Sequence, residues 1–190
     1  MTIKHFGNYL GAAFLMAGMA MGLGAETTGS GYVDFGKLSA PASGGEFVEV
    51  NISSNLIAMV GRLAKDSQPE ISDLVQGLEH IRVSVIGLDD GNRADLQQRV
   101  KSVREELDHQ GWERVVTVQQ SQEDVMVQIK TRGGEAVQGL VVTVLDSDKE
   151  AVLVNIVGDI KPERLGASIQ AIGLRFNIEP LKNLAPVPKK

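Results

Sequence analysis

The sequence contains no cysteine. This absence excludes disulfides, thiolate metal sites, a cysteine nucleophile and lipid attachment to an N-terminal cysteine. Aromatic residues make up only 4% of the chain, which argues against a stacking platform for single-stranded nucleic acid. The 19 Lys and Arg are outnumbered by 24 Asp and Glu, so the net charge is −5. Because an acidic chain without a basic run repels phosphate backbones, we predict no nucleic-acid partner.

Side-chain arrangements that carry chemistry are also scarce. The histidines beyond the N-terminal segment, His80 and His109, have no partner at zinc spacing. No serine lies in a Gly-x-Ser-x-Gly setting. Gly133 and Gly134 join two predicted strands, which is typical of a hairpin turn and not of a phosphate loop. The sequence therefore predicts no catalytic residue and no cofactor.

Two short acidic turns are the weak candidates for a metal site. The first contains Asp89 and Asp90, and the second contains Asp146 and Asp148. An EF-hand loop that began at Asp90 would have a lysine where its closing glutamate must stand. We interpret both turns as solvated. The competing hypothesis is a metal- or ligand-binding protein, or a hydrolase, in which these carboxylates and Asp159 converge on one cleft.

Residues 1–25 have the three zones of a secretory signal peptide. Lys4 and His5 form a basic start, residues 9–23 are apolar and uncharged, and Gly24 and Ala25 are small enough for a signal peptidase. The apolar run is shorter than the ~20 residues of a membrane-spanning helix. We therefore expect a cleaved signal, a periplasmic or secreted protein and no stable transmembrane anchor, the alternative being a retained N-terminal anchor.

The rest of the chain divides into a leader, one domain and a tail. Residues 26–45 are rich in Gly, Ser, Thr and Ala, which predicts a flexible leader. Tyr32, Val33 and Phe35 interrupt it, so this stretch either docks on the domain or is an exposed peptide that another protein recognises. Residues 46–176 are expected to form a single domain, followed by a proline-containing flexible tail over 177–190.

Hydrophobic patterning predicts an α+β fold with a mainly antiparallel sheet. Four apolar runs with short polar breaks between them indicate a C-terminal four-stranded meander over residues 115–118, 125–129, 137–145 and 151–157. Two alternating runs, 47–52 and 81–85, predict further strands, and helical spacing predicts helices near 54–64, 70–78, 92–110 and from 162. Because two of the meander strands are almost continuously apolar, both faces need cover. We expect helices on one face and a partner subunit or further chain on the other.

Three segments carry a resemblance to a known family. They are Gly111-Trp112-Glu113-Arg114-Val115-Val116, Gly139-Leu140-Val141-Val142 and Asn155-Ile156-Val157-Gly158-Asp159-Ile160. In these, over roughly residues 47–172, the chain resembles a bacterial exported family known as domain of unknown function 4252. The resemblance implies an exported location and a fold, and it brings no reaction, cofactor or catalytic residue.

The single tryptophan, Trp112, is interpreted as a core anchor between helix and sheet. If its ring were exposed beside Tyr32 or Phe35, these three residues would form a binding surface for a peptide or a glycan. We therefore predict an exported, non-catalytic binding or envelope-structural module whose partner is an envelope protein or a second copy. The alternatives are a small-ligand, lipid or metal-binding protein.

Overall fold

Six strands form one antiparallel sheet with the order β1-β2-β6-β5-β4-β3. The strands are β1 (Phe47–Ser53), β2 (Leu78–Gly87), β3 (Glu113–Gln119), β4 (Glu123–Arg132), β5 (Ala136–Asp146) and β6 (Glu150–Ile160). The helices are α1 (Ser54–Ala64), α2 (Pro69–Val75), α3 (Arg93–His109), α4 (Pro162–Arg175) and α5 (Glu179–Lys182). The predicted α+β fold and its four-stranded meander, β3 to β6, are therefore confirmed.

The computed structural model describes residues 30–133, 136–147, 149–175 and 178–182. The predicted signal peptide, Asp148 and the last eight residues lie outside the described residues. Within the described part, none of the helices has the length and apolar character that crossing a bilayer requires.

The long helix α3 carries the chain from β2, near one edge of the sheet, to β3 at the other edge. Leu96, Val100 and Leu107 recur at helical spacing and are buried against the sheet. The helix ends just before Gly111, which adopts the left-handed conformation with φ 76° that glycine favours. The chain then continues directly into β3.

Helices cover both faces of the sheet, and not one face as the sequence suggested. Side chains alternate along each strand, so Val142 and Val144 of β5 face one way while Val141 faces the other. The first face packs against α4 and α5, and the second packs against α3 and residues 33–38. The continuous apolar runs of β5 and β6 are thus explained by cover from the same chain.

Residues 31–35 dock on the sheet, so this part of the predicted leader belongs to the domain. Phe35 is 0% exposed. The Val33 N–H donates to Asn155 Oδ1 at 2.9 Å, and Asn155 Nδ2 donates to the Gly31 carbonyl at 3.0 Å. Arg82 Nη1 also donates to the Tyr32 hydroxyl at 2.9 Å. A buried asparagine on β6 therefore binds the segment through its main chain.

The domain also extends beyond its predicted end at residue 176. Ile178 and Leu181 are 2% and 0% exposed, and both join the core beneath α4. The short helix α5 places them there, and its Lys182 carbonyl accepts a hydrogen bond from Gln170 Nε2 at 3.0 Å. Proline at position 180 is compatible with this placement, because a helix tolerates proline in its first turn.

Candidate functional site

An apolar groove of about 430 Å³ lies on the α4 face of the sheet, towards the β1 edge. Strands β1, β2 and β6 form its floor, the end of α2 and the start of β2 close one side, and α4 forms the other. Its lining residues are Val48, Val50, Ile52, Val75, Leu78, Ile81, Val83, Val154, Ile156, Ser168, Ala171, Ile172 and Arg175. Ten of these residues are Val, Ile or Leu.

The groove exists because the helices of this face do not reach the outer strand. Helix α4 inserts Ile169 and Ile172 into the core over the central strands. Above β1, Val48 and Val50 remain 38% and 37% exposed. Apolar side chains that share one face of adjacent strands and are left uncovered form an apolar surface that water contacts.

Polar groups of the groove are confined to its α4 side. Arg175 is exposed and has no ion-pair partner among the described residues, while Ser168 contributes a hydroxyl about two helical turns earlier. A guanidinium above an apolar floor suits a ligand with an anionic head and an apolar body. The groove contains no carboxylate or imidazole among its lining residues.

A larger hollow of about 650 Å³ lies between α1 and α2, but its lining is mixed. Charged Arg62, Lys65 and Asp73 stand beside Ile57 and Val75 there. No continuous apolar floor is formed, because the charged side chains interrupt it. The groove over β1 and β2 is therefore the better candidate for an apolar ligand.

Helix α1 exposes a second apolar surface. Leu56, Met59, Val60 and Leu63 are 47%, 45%, 42% and 74% exposed, and their spacing places them on one face of the helix. Apolar residues with this spacing usually form the packed face of a helix. The structure instead buries Ile57 and Ala64, which lie next to the stripe.

The acidic turns do not form a metal site in the described part of the chain. Asp89 organises the turn before α3, since its carboxylate accepts hydrogen bonds from the Ser43 N–H and hydroxyl at 3.1 and 2.9 Å. The hydrogen bonds from Ser43, followed by those from Asn92 and Gly91, lower the pKa of Asp89. Asp90, next to it in the turn, is exposed. This first turn is held by hydrogen bonds within it and by those from Ser43.

Nor do the described acidic residues of the two turns, Asp89, Asp90 and Asp146, meet Asp159. Asp146 forms an ion pair with Lys149 at 3.2 Å, beside the first residue of β6. Asp159 is near the other end of this eleven-residue strand, about 30 Å away at ~3.3 Å per residue, and contacts Arg132 at 3.7 Å. Among the described residues, no three His, Asp or Glu side chains are grouped to hold a metal ion. The single cleft that a metal-dependent hydrolase requires is not formed by these residues.

The three aromatic candidates for a binding surface contribute to packing and to the docked segment. Trp112 is 5% exposed and Phe35 is fully buried. The Tyr32 ring lies edge-on to His80, with 5.5 Å between ring centroids, and its hydroxyl accepts from Arg82. The exposed cluster that a peptide or glycan would need is therefore not formed.

Carboxylates accumulate at the end of the sheet where β4 and β6 begin. Burial, followed by repulsion from Asp146, raises the pKa of Glu123. Burial, followed by repulsion from Glu46 and Asp146, raises the pKa of Glu150. Both ionised carboxylates consequently destabilise the fold at neutral pH.

A family model described as "Domain of unknown function (DUF4252)" matches residues 43–167, well over half of the chain. No curated protein and no solved structure matches the sequence. The matched region begins just before β1 and ends within α4, so it includes all six strands.

Proposed function

The chain belongs to this family of domains of unknown function, and we propose that it is an exported, non-catalytic binding module. Its ligand is an amphiphile with an acyl chain and an anionic head, held in the groove over β1, β2 and β6. The observation that carries this proposal is the open apolar floor beside the single guanidinium of Arg175.

The size and lining of the groove support an acyl chain. Small-molecule sites in proteins typically have volumes of about 300–1,000 Å³ and mostly apolar walls, and the groove has a volume of about 430 Å³. Each methylene that leaves water for such a surface contributes about 0.8 kcal/mol. Affinity should therefore rise with the length of the chain until the groove is filled.

The charge of the groove supports an anionic head. Arg175 stands at the α4 wall, is exposed and lacks a described carboxylate partner. A guanidinium donates two parallel hydrogen bonds to a carboxylate or a phosphate. A neutral head group lacks the negative charge that strengthens these bonds. The rest of the lining offers no second cation, so the head group is expected at this wall.

The exported location is supported by the N-terminal sequence. Residues 1–25 have the basic, apolar and small-residue zones of a signal peptide. Fractionation of cells that express the tagged protein should place it outside the cytoplasm, with a mature N-terminus at Glu26. Recovery of the full-length chain from the cytoplasm would contradict this part of the proposal.

Ligand binding is tested by titration with a fluorescent long-chain fatty acid. Ala171→Trp fills the groove from α4 and should abolish saturable binding, while Leu174→Trp places the same ring at a 63% exposed position of the same helix and should leave it unchanged. Absence of binding by the wild type, or equal binding by Ala171→Trp, would overturn the proposal. Native mass spectrometry of the purified protein would identify a co-purified lipid directly.

The role of Arg175 is tested by comparing a fatty acid with the fatty alcohol of the same length. Arg175→Gln should weaken binding of the acid by about tenfold, a value typical of a charge-assisted hydrogen bond of ~1.5 kcal/mol, and should leave binding of the alcohol unchanged. An equal effect on both ligands would show that the guanidinium does not select the head group.

A second candidate function is protein binding through α1. The observation that favours it is the exposed stripe Leu56, Met59, Val60 and Leu63, whose spacing fits the apolar face of a partner helix. An envelope protein captured by cross-linking should be lost with Leu63→Glu and retained with Leu174→Glu. The two substitutions introduce the same charge at similarly exposed positions, and therefore separate this surface from general effects.

A further inference from the structure

Strand β1 forms one edge of the sheet and pairs with β2 on its inner side. The Gly87 N–H donates to the Glu46 carbonyl at 2.7 Å, so these opposed residues form a hydrogen-bonded pair. The register continues along β1 without a shift. Since hydrogen-bonded and non-hydrogen-bonded pairs alternate in an antiparallel ladder, Phe47, Glu49 and Asn51 direct their main-chain groups outwards.

The edge at β1 lacks the features that usually prevent strands from pairing. Its sequence contains no proline and no lysine, and six of its seven residues are exposed. Phe47, Val48 and Val50 are 36%, 38% and 37% exposed. An exposed apolar strand with outward main-chain donors and acceptors is a template for another strand.

Strand β3, at the opposite edge, also lacks proline and lysine, but its pairing is irregular. Strand β3 carries an irregularity of register between Arg114 and Val116, and an edge bulge twists a strand away from incoming partners. Arg114 also forms an ion pair with Asp108 beside this edge. The contrast between the two edges points to pairing at β1.

We propose that β1 pairs antiparallel with β1 of a second copy, about a two-fold axis at Val50. Residues that stand directly opposite each other in a sheet have side chains on the same face. With the axis at Val50, Val48 stands opposite Ile52 of the second copy, and the two strands overlap over their whole length. This register places Glu49 opposite Asn51 of the second copy. A centre at Glu49 would oppose two like charges, and a centre at Asn51 would shorten the overlap.

The resulting dimer has a continuous sheet to which each copy contributes six strands. Val48, Val50 and Ile52 of both copies lie on the groove side, because each of them lines the groove. The apolar floors of the two grooves therefore adjoin at the two-fold axis. The dimer does not depend on any ligand in the groove, so each can be tested without the other.

Disulfide trapping tests the interface and its register, since the chain contains no cysteine of its own. Across the two-fold axis the Val50 residues form a non-hydrogen-bonded pair, whose Cα atoms are about 4.5 Å apart, within the range a disulfide spans. Val50→Cys should be oxidised to a covalent dimer. In Val48→Cys the two thiols are separated by about four residues along the strand, roughly 13 Å. This variant should therefore form no covalent dimer. Equal cross-linking of both variants, or of neither, would overturn the proposal.

A charge substitution tests the same register without a cross-link. Asn51→Glu places a glutamate opposite Glu49 of the second copy at each of two symmetric positions. Repulsion in such pairs costs ~0.2–1 kcal/mol for each pair. The dimer dissociation constant, measured by sedimentation, should therefore rise about tenfold. Position 51 stands opposite Arg82 within the monomer, so the fold should remain intact by thermal melting. Adding Glu49→Lys to Asn51→Glu should restore the dimer. A wild type that is monomeric at every concentration, or a dimer unaffected by Asn51→Glu, would refute the pairing.

Discussion

Replacing Asn155 by alanine should release the docked segment over residues 31–35. The Asn155 side chain is 0% exposed. It accepts from the Val33 N–H at 2.9 Å and donates to the Gly31 carbonyl at 3.0 Å and the Leu140 carbonyl at 3.3 Å. Alanine removes all three hydrogen bonds and leaves two main-chain groups of the segment facing an apolar site.

The magnitude follows from those two main-chain groups. A buried donor or acceptor without a partner costs about 1–3 kcal/mol, so Asn155→Ala should lower the free energy of unfolding by about 2–6 kcal/mol if the segment stays in place. If the segment detaches, water satisfies both groups and the loss is instead the burial of Val33 and Phe35, about 1.5–3 kcal/mol for each side chain. The two outcomes differ in whether Phe35 becomes accessible.

Urea denaturation measures the free energy, and chymotrypsin cleavage after Phe35 distinguishes the two outcomes. Thr117→Ala, at an exposed position of β3, is the control and should change stability by less than about 0.5 kcal/mol. A change below about 1 kcal/mol for Asn155→Ala, with no new cleavage at Phe35, would refute the reasoning that this side chain binds the segment.

Two further predictions concern packing and pH. Gly139→Ala should destabilise the fold by about 1–3 kcal/mol, because a Cβ there would lie 2.5 Å from Trp112 and 2.7 Å from Gly31. Gly61→Ala in α1, measured by the same urea titration, should have a smaller effect, because its Cβ would meet only the Val75 side chain, at 3.2 Å. Glu123 has a pKa above its ordinary value of 4.5 in the fold, so the folded state binds more protons between 4.5 and that raised pKa. The melting temperature should therefore rise as pH falls from neutral towards 4.5, and Glu123→Gln should raise it at neutral pH and reduce this dependence. An unchanged pH profile in Glu123→Gln would contradict the assignment.

The candidate site shows where sequence patterns stop being informative. The alternation over residues 47–52 predicted a strand, and in the structure Val48, Val50 and Ile52 share one of its faces. The pattern did not show that this face would be left open, because openness depends on how far α4 extends over the sheet. A groove formed by three strands and two helices has no signature within any one of them.

The acidic turns illustrate the opposite case. Asp89 and Asp146 were predicted to be turn residues from their immediate neighbours, and the structure places each in a turn with a local partner, Asn92 and Lys149 respectively. Such hydrogen bonds and ion pairs depend mainly on a few adjacent residues. The distance from these turns to Asp159 could not be predicted in this way, because it depends on the direction of β6 in the sheet.

By itself, the sequence determined the six strands, helices α1 to α4, the meander and the α+β class, since strand and helix periodicity and turn residues are properties of short stretches. Only the tertiary structure decided which faces are covered and by what. The segment at Val33 is bound by Asn155, 122 positions away, and Ile178 and Leu181 complete a core begun before residue 90. Burial depends on contacts between residues distant in the chain, and no local period records them.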